Sequence, residues 1–161
     1  MANEASHVAS LLEYIAHDVL EQLRSVPEPL LNQPLSLPET NTLFALATHL
    51  VGAGEQWVLM WAGGRTIARD RAAEFHATGT LAELEARYQR WIADVHEMLD
   101  TMPDAELERE VQQARTGWFQ HLSGPPTVHH CLLHAVEHSA LHQGHIQLTC
   151  QLLRHQGAVT G

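Results

Sequence analysis

HHCLLHAVEHSALHQGHIQ, residues 129–147, holds six of the thirteen histidines in this 161-residue chain, a crowding that composition alone does not explain. Thr127 is a candidate N-cap ahead of it and Gly157 a candidate stop behind it, so the run reads as the greater part of a helix over residues 128–155. At about 100° per residue, His134, His138, His142 and His145 fall within one arc roughly 80° wide. His138 and His142 straddle the direction shared by Cys131, Ala135, Ile146, Thr149 and Leu153, the apolar side of the helix, and are expected to point inward. His134 and His145 sit nearer the edge of that side. His129, His130 and His155 lie close to the helix ends, where solvent is the default environment.

Three further segments carry the 3.6-residue apolar period of amphipathic helices. Over residues 5–25, Val8, Leu11, Leu12, Ile15, Val19 and Leu23 share one face, with His17 nearly opposite. The proline-punctuated stretch VPEPLLNQPLSLPE ends that helix, and Pro38 and Glu39 are expected to open a second one over residues 38–61. This second helix is apolar all round and stops at the pair Gly63-Gly64. Thr80 and Glu83 form a capping-box pattern at the head of a third helix, in which Leu81, Leu84, Tyr88, Trp91, Val95 and Met98 make a stripe up to Pro103. Residues 103–126 have no regular period and are left unassigned. Four such stripes bury one another in an all-α four-helix bundle, which we expect to be a single domain over residues 1–161.

Nine basic side chains against nineteen acidic ones give a net charge of -10, which repels a phosphate backbone and an anionic membrane surface alike. Neither nucleic acid nor a membrane is expected as a partner. No window approaches the roughly 20 apolar residues that cross a bilayer, and the first ten residues lack a basic segment followed by an apolar run, so a cytoplasmic protein is expected. Cys131 and Cys150 would stand about five helical turns apart, too far for a bridge, and read as small apolar residues.

The second helix contributes His49, on the face of Leu46, Ala53, Trp57 and Met60, and it too should point into the bundle. Two imidazoles at i and i+4 with a third from a facing helix make a three-nitrogen site for a borderline divalent cation such as zinc or nickel, with a coordination position left for chemistry. The alternative is a set of core histidines hydrogen-bonded to carbonyls or carboxylates. HAVEH, residues 134–138, also matches the pattern of inverted zinc peptidases, but on the helical wheel Glu137 falls roughly 120° from the His138/His142 direction. Met60, Trp57 and Trp61 could wall a pocket or simply be core.

Taken together, ATHLVGAGEQWVLMWAGG and TVHHCLLHAVEHSALHQGHIQLTCQLL resemble the two halves of the DinB-like superfamily of metalloenzymes, which includes the mycothiol-dependent maleylpyruvate isomerase and bacillithiol transferase families. The resemblance implies His49, His138 and His142 as metal ligands, an up-down-down-up path with a crossover in AGGRTIARDRAAEFHATGT, and pairing into a homodimer. His134 then reads as a supporting or packing residue. Where the superfamily usually has Arg-Gly-Gln after the last ligand, this chain has Gln143-Gly144-His145, so the role of that arginine cannot be carried over.

The leading functional expectation is a metal-dependent enzyme acting on a small molecule, a transferase or isomerase assisted by a low-molecular-weight thiol. The alternatives are a non-catalytic metal-binding or stress-response bundle, and a metal-dependent hydrolase for which no general base can be named. A homodimer is expected on a second ground, since Phe44, Val51, Val58 and Leu59 face away from His49 on the second helix and offer more apolar surface than a four-helix monomer needs to bury.

Overall fold

The computed structural model describes residues 3–114 and 119–159. Helix α1 spans Glu4–Arg24, opened by Asn3, whose side chain accepts from the Ser6 backbone N–H. Helix α2 spans Leu43–Gly54 and continues in wider π-helical winding over Glu55–Ala62. A short α3, Arg71–Glu74, lies in the connection to α4, Leu81–Leu99, and α5 runs over Val128–Val159.

Cross-helix contacts fix the directions. Glu4 meets His129, Asp18 meets Gln143 and the Gln22 carbonyl meets Cys150, so α1 and α5 run parallel. Arg24 pairs with Glu85 and Glu13 with His96, so α4 is antiparallel to α1. His49 lies beside His138 and His142 while Trp57 lies beside His134, so α2 is antiparallel to α5. The path is therefore up-down-down-up, with residues 63–80 as the crossover.

Most of the stripe residues form the core, with Val8, Leu12, Ile15, Val19 and Leu23 of α1 and Leu84, Tyr88, Trp91 and Val95 of α4 all buried, whereas Leu81 and Met98 at the ends of the α4 stripe are only partly buried and Leu99, outside it, is fully buried. Leu11 departs from its stripe and is half exposed, because α1 packs through a side that includes Ala5, Ala9 and Ala16. Every residue of α2 from Leu43 to Gly54 is buried, which its all-round apolar sequence demands. Phe44, Val51, Val58 and Leu59 are among the buried residues, so the surface on which the residue-based argument for a dimer rested is covered within the chain.

Two helix ends differ from expectation. The second helix starts at Leu43 rather than near Pro38: Thr42 accepts from the Ala45 N–H as N-cap, and Glu39 adopts a left-handed φ of 58° that no helix can include. The last helix continues past Gly157 to Val159. The other signals hold. Thr80 and Glu83 make the capping box in both directions, Gly64 closes the second helix at φ 71°, and Thr127 accepts from the His130 N–H at the start of α5. Within 103–126, Asp104–Glu108 and Gln112–Ala114 are 3₁₀ turns, and residues 109–111 make an antiparallel bridge with 126–128; residues 115–118 lie outside the described residues. The Arg109 guanidinium donates to the Ala62 carbonyl, tying this segment to the end of the α2 extension.

Candidate metal centre

Helical spacing and antiparallel packing bring His49, His138 and His142 together, one nitrogen from each lying within 4.8 Å of the others. Their ring centroids are 5.1 Å apart for His49 and His138, 4.8 Å for His49 and His142, and 4.4 Å for His138 and His142. His49 sits deep in the bundle and His142 is half buried, so the cluster opens outward along α5.

The crossover supplies the group behind His49. Glu74, buried at the end of α3, places Oε2 at 2.8 Å from His49 Nδ1. With the carboxylate accepting, Nδ1 carries the ring proton and the Nε2 lone pair is left free, the arrangement by which carboxylates orient metal-binding histidines. Arg69 grips the same carboxylate through Nε at 2.6 Å and Nη2 at 2.8 Å, and its Nη1 donates to Gln56 Oε1 at 2.5 Å. Burial alone would push the Glu74 carboxyl up; the hydrogen bonds from Arg69 and His49 outweigh it and hold it below the ordinary value. The pair is thus a buried carboxylate facing a neutral imidazole.

All three imidazoles are neutral near pH 7. Burial lowers His49 in spite of Glu74. Burial, together with the neighbouring His142 and His49, pushes His138 down to about 3; burial with His49 and His145 pushes His142 down to about 4. Neutral imidazole is the form that binds a cation. The Nδ1 atom of His138 is buried with no hydrogen-bond partner among the described residues, a cost that a cation or a water at that nitrogen would relieve. Neutral rings, an oriented tautomer and an unsatisfied buried nitrogen fit a divalent ion better than they fit a hydrogen-bonded core, which would satisfy each ring.

The remaining histidines separate cleanly. His134 is buried outside the trio, its ring 4.2 Å from Trp57 and 5.8 Å from Phe119, with Nδ1 at 3.1 Å from Glu137. The Glu137 side chain is 71% exposed, so the peptidase-like HAVEH pattern does not turn its glutamate toward the cluster. His145 is exposed at the rim, its Nδ1 3.4 Å from that of His142. His129 pairs with Glu4, and His130 Nδ1 accepts from the Thr127 N–H. Trp57 is buried and packs edge-on against Trp61, with centroids 4.3 Å apart, on the π-helical segment.

Gln143, at the position where the superfamily usually has arginine, turns to α1 and donates to Asp18 Oδ2 at 2.7 Å. It ties two helices together and faces away from the inward side of α5.

With this geometry in place, comparison with known proteins assigns the chain. A family model described as mycothiol-S-transferase matches residues 7–156. The chain belongs to the mycothiol-S-transferase family, a DinB-like family. No functionally curated protein matches it. Among solved structures, it is similar to a conserved protein from Enterococcus faecalis, with a TM-score of 0.74 at 13% identity over 94% of this chain and 98% of that one. It is also similar to a protein from Streptococcus pneumoniae, with a TM-score of 0.63 at 14% identity over 96% and 92% of the two chains. These two likenesses concern the fold. The family match spans both helices that carry His49, His138 and His142.

Reading the sequence missed Glu74, Arg69 and Gln56. The signal was present in the crossover, where RTIARDR gathers three of nine arginines into seven residues, but an irregular connection has no period from which direction could be read.

Proposed function

We propose that this chain is a divalent-metal-dependent enzyme that transfers or isomerises a small molecule with the help of a low-molecular-weight thiol. The observation that carries the reading is three neutral imidazoles on two facing helices, one of them oriented by a buried carboxylate. His49, His138 and His142 would hold the ion, zinc or nickel by donor type. When bound there, the ion supplies a positive centre that favours the thiolate form of a thiol.

The chain's own residues do the rest. Glu74 keeps a proton on His49 Nδ1, and Arg69 keeps Glu74 ionised and in place. His138 and His142 remain unprotonated across the physiological range because of burial. Neither cysteine competes as nucleophile, since burial pushes the Cys131 thiol up to about 12 and also raises Cys150.

A hydrolase would need a carboxylate or imidazole free to take a proton from water. Glu74 is committed to Arg69 and His49, and Glu137 faces solvent, so neither carboxylate is placed for that role; the family match favours the transferase reading. No helix among the described residues is long and apolar enough to cross a membrane, and a thiol cosubstrate fits the reducing cytoplasm, which we propose as the location. A homodimer remains part of this reading, its support now the exposed Leu133, Leu141 and Leu148 of α5 together with Leu11 and Tyr14 of α1. The test is conjugation of a panel of electrophiles by thiols, with metal-loaded and metal-stripped protein. Metal-dependent adduct formation supports the proposal; a fully loaded protein inert to every thiol and electrophile pair defeats the transferase reading.

A further inference from the structure

Arginine supplies all the basic charge of this chain, and in a molecule of net charge -10 most of it is neutralised. Arg24, Arg65, Arg69, Arg87 and Arg109 each pair with a carboxylate. Arg71, exposed at the start of α3, has no such partner among the described residues. The same holds for Arg90, on the exposed side of α4, and for Arg154 of α5, which donates to the Cys150 carbonyl, but Arg71 differs in where it stands. Its guanidinium carbon lies 5.3 Å from the centre of the Phe75 ring, and that ring lies 4.7 Å from the ring of His49. A cation–π contact holds the charge over Phe75 and leaves its N–H donors free in the plane of the guanidinium.

The surroundings make that placement informative. A protein this acidic repels small anions at long range, so an anionic substrate needs a local cation at the mouth of the site. Gln143 cannot provide it, being neutral and engaged with Asp18. Arg69 cannot either, because Glu74 consumes its charge. We propose that Arg71 recognises a carboxylate on the small molecule taken at the His49–His138–His142 cluster, with Phe75 as the platform that positions the guanidinium. This rests on the metal and thiol reading above and adds a substrate class to it: a thiol that bears a carboxylate within a few bonds of its sulfur. Guanidinium suits this role because it meets a carboxylate with two parallel N–H donors.

The experiment uses two thiols of similar size, 3-mercaptopropionate and 2-mercaptoethanol, titrated calorimetrically into zinc-loaded full-length protein. Wild type should bind the carboxylate-bearing thiol about three- to tenfold more tightly, as expected of a partly exposed charge-assisted contact, and the preference should shrink at high salt. Arg71→Ala should bind both thiols alike with its zinc content unchanged, and Arg71→Lys should retain part of the preference. Because Arg71 is exposed, with no carboxylate partner among the described residues and only the Phe75 ring contact to lose, both variants should melt close to the wild-type thermal midpoint. Binding of both thiols with no preference in wild type, or an undiminished preference in Arg71→Ala, overturns this inference alone. Failure of either thiol to bind zinc-loaded protein overturns the thiol reading and the role of Arg71 with it.

Discussion

The proton on His49 Nδ1 is fixed by Glu74, and removing that carboxylate should be felt as metal affinity before it is felt as fold. Glu74→Gln keeps the volume but can offer the ring an amide rotated either way, and it leaves Arg69 without its counter-charge. Loss of an orienting carboxylate behind a metal-bound histidine typically costs about 10- to 100-fold in affinity, and a chelator competition titration should show a loss in that range. Acid should also act through these residues. His138 and His142 hold values of about 3 and about 4 in the folded chain, against about 6.5 in an unfolded one. Between those values the unfolded chain takes up protons that the folded chain refuses, so the stability of metal-free protein falls as pH drops from about 6.5 toward 4. Above about pH 7 these two groups contribute no pH dependence. Denaturant midpoints measured from pH 8 to pH 4 check this; the decline should be shallower in a His138→Gln, His142→Gln double variant. The three histidines were legible in the sequence because a regular helix converts spacing into direction. Glu74 and Arg71 were not, because they lie in a crossover whose backbone follows no period.

Among the elements, α2 is the one the bundle is built around, and two of its glycines show how closely its neighbours approach. A Cβ on Gly54 would strike the ring of Trp91, itself 1% exposed on α4, and a Cβ on Gly52 would strike the carboxylate of Glu74. Gly54→Ala should therefore destabilise by about 1–3 kcal/mol through overpacking, outweighing the gain in helix propensity, and thermal or denaturant melts would show it. Gly52→Ala should act differently, weakening metal binding through displaced Glu74 more than it lowers the melting midpoint; equal metal affinity in wild type and Gly52→Ala would show that the carboxylate can shift without consequence. At this scale the stripes of α1, α4 and α5 were readable from periodicity, as were the capping box at Thr80 and the stop at Gly64. The start of the second helix was misplaced because Pro38-Glu39 resembles a first turn, whereas Thr42 supplies the cap and Glu39 turns the chain. Leu11 fell on the apolar wheel yet faces outward, because small alanines let α1 roll toward its neighbours. The π-helical winding over Glu55–Ala62 had no signal in the residues, and such winding recurs at functional sites in general.

For the whole molecule, the expected pairing of two copies changes its ground. The apolar face of α2 lies inside the chain, while Leu133, Leu141 and Leu148 project from α5, each more than half exposed. If a homodimer forms, charge placed on that face should break it, so Leu141→Glu should halve the mass seen by light scattering and leave the helical content unchanged; a monomeric wild type at micromolar concentration counts against the pairing. We propose the folded bundle as a container for one divalent ion held by His49, His138 and His142. The most direct test is metal stoichiometry, measured on tag-free protein exposed to zinc or nickel and then freed of loosely bound ions, for wild type, His138→Ala and His134→Ala. Wild type should hold about one ion per chain, His138→Ala should lose nearly all of it, and His134→Ala, whose ring packs on Trp57 and Phe119 outside the cluster, should retain it. A wild-type protein that retains no ion, or a His138→Ala protein that retains a full complement, would contradict the proposal.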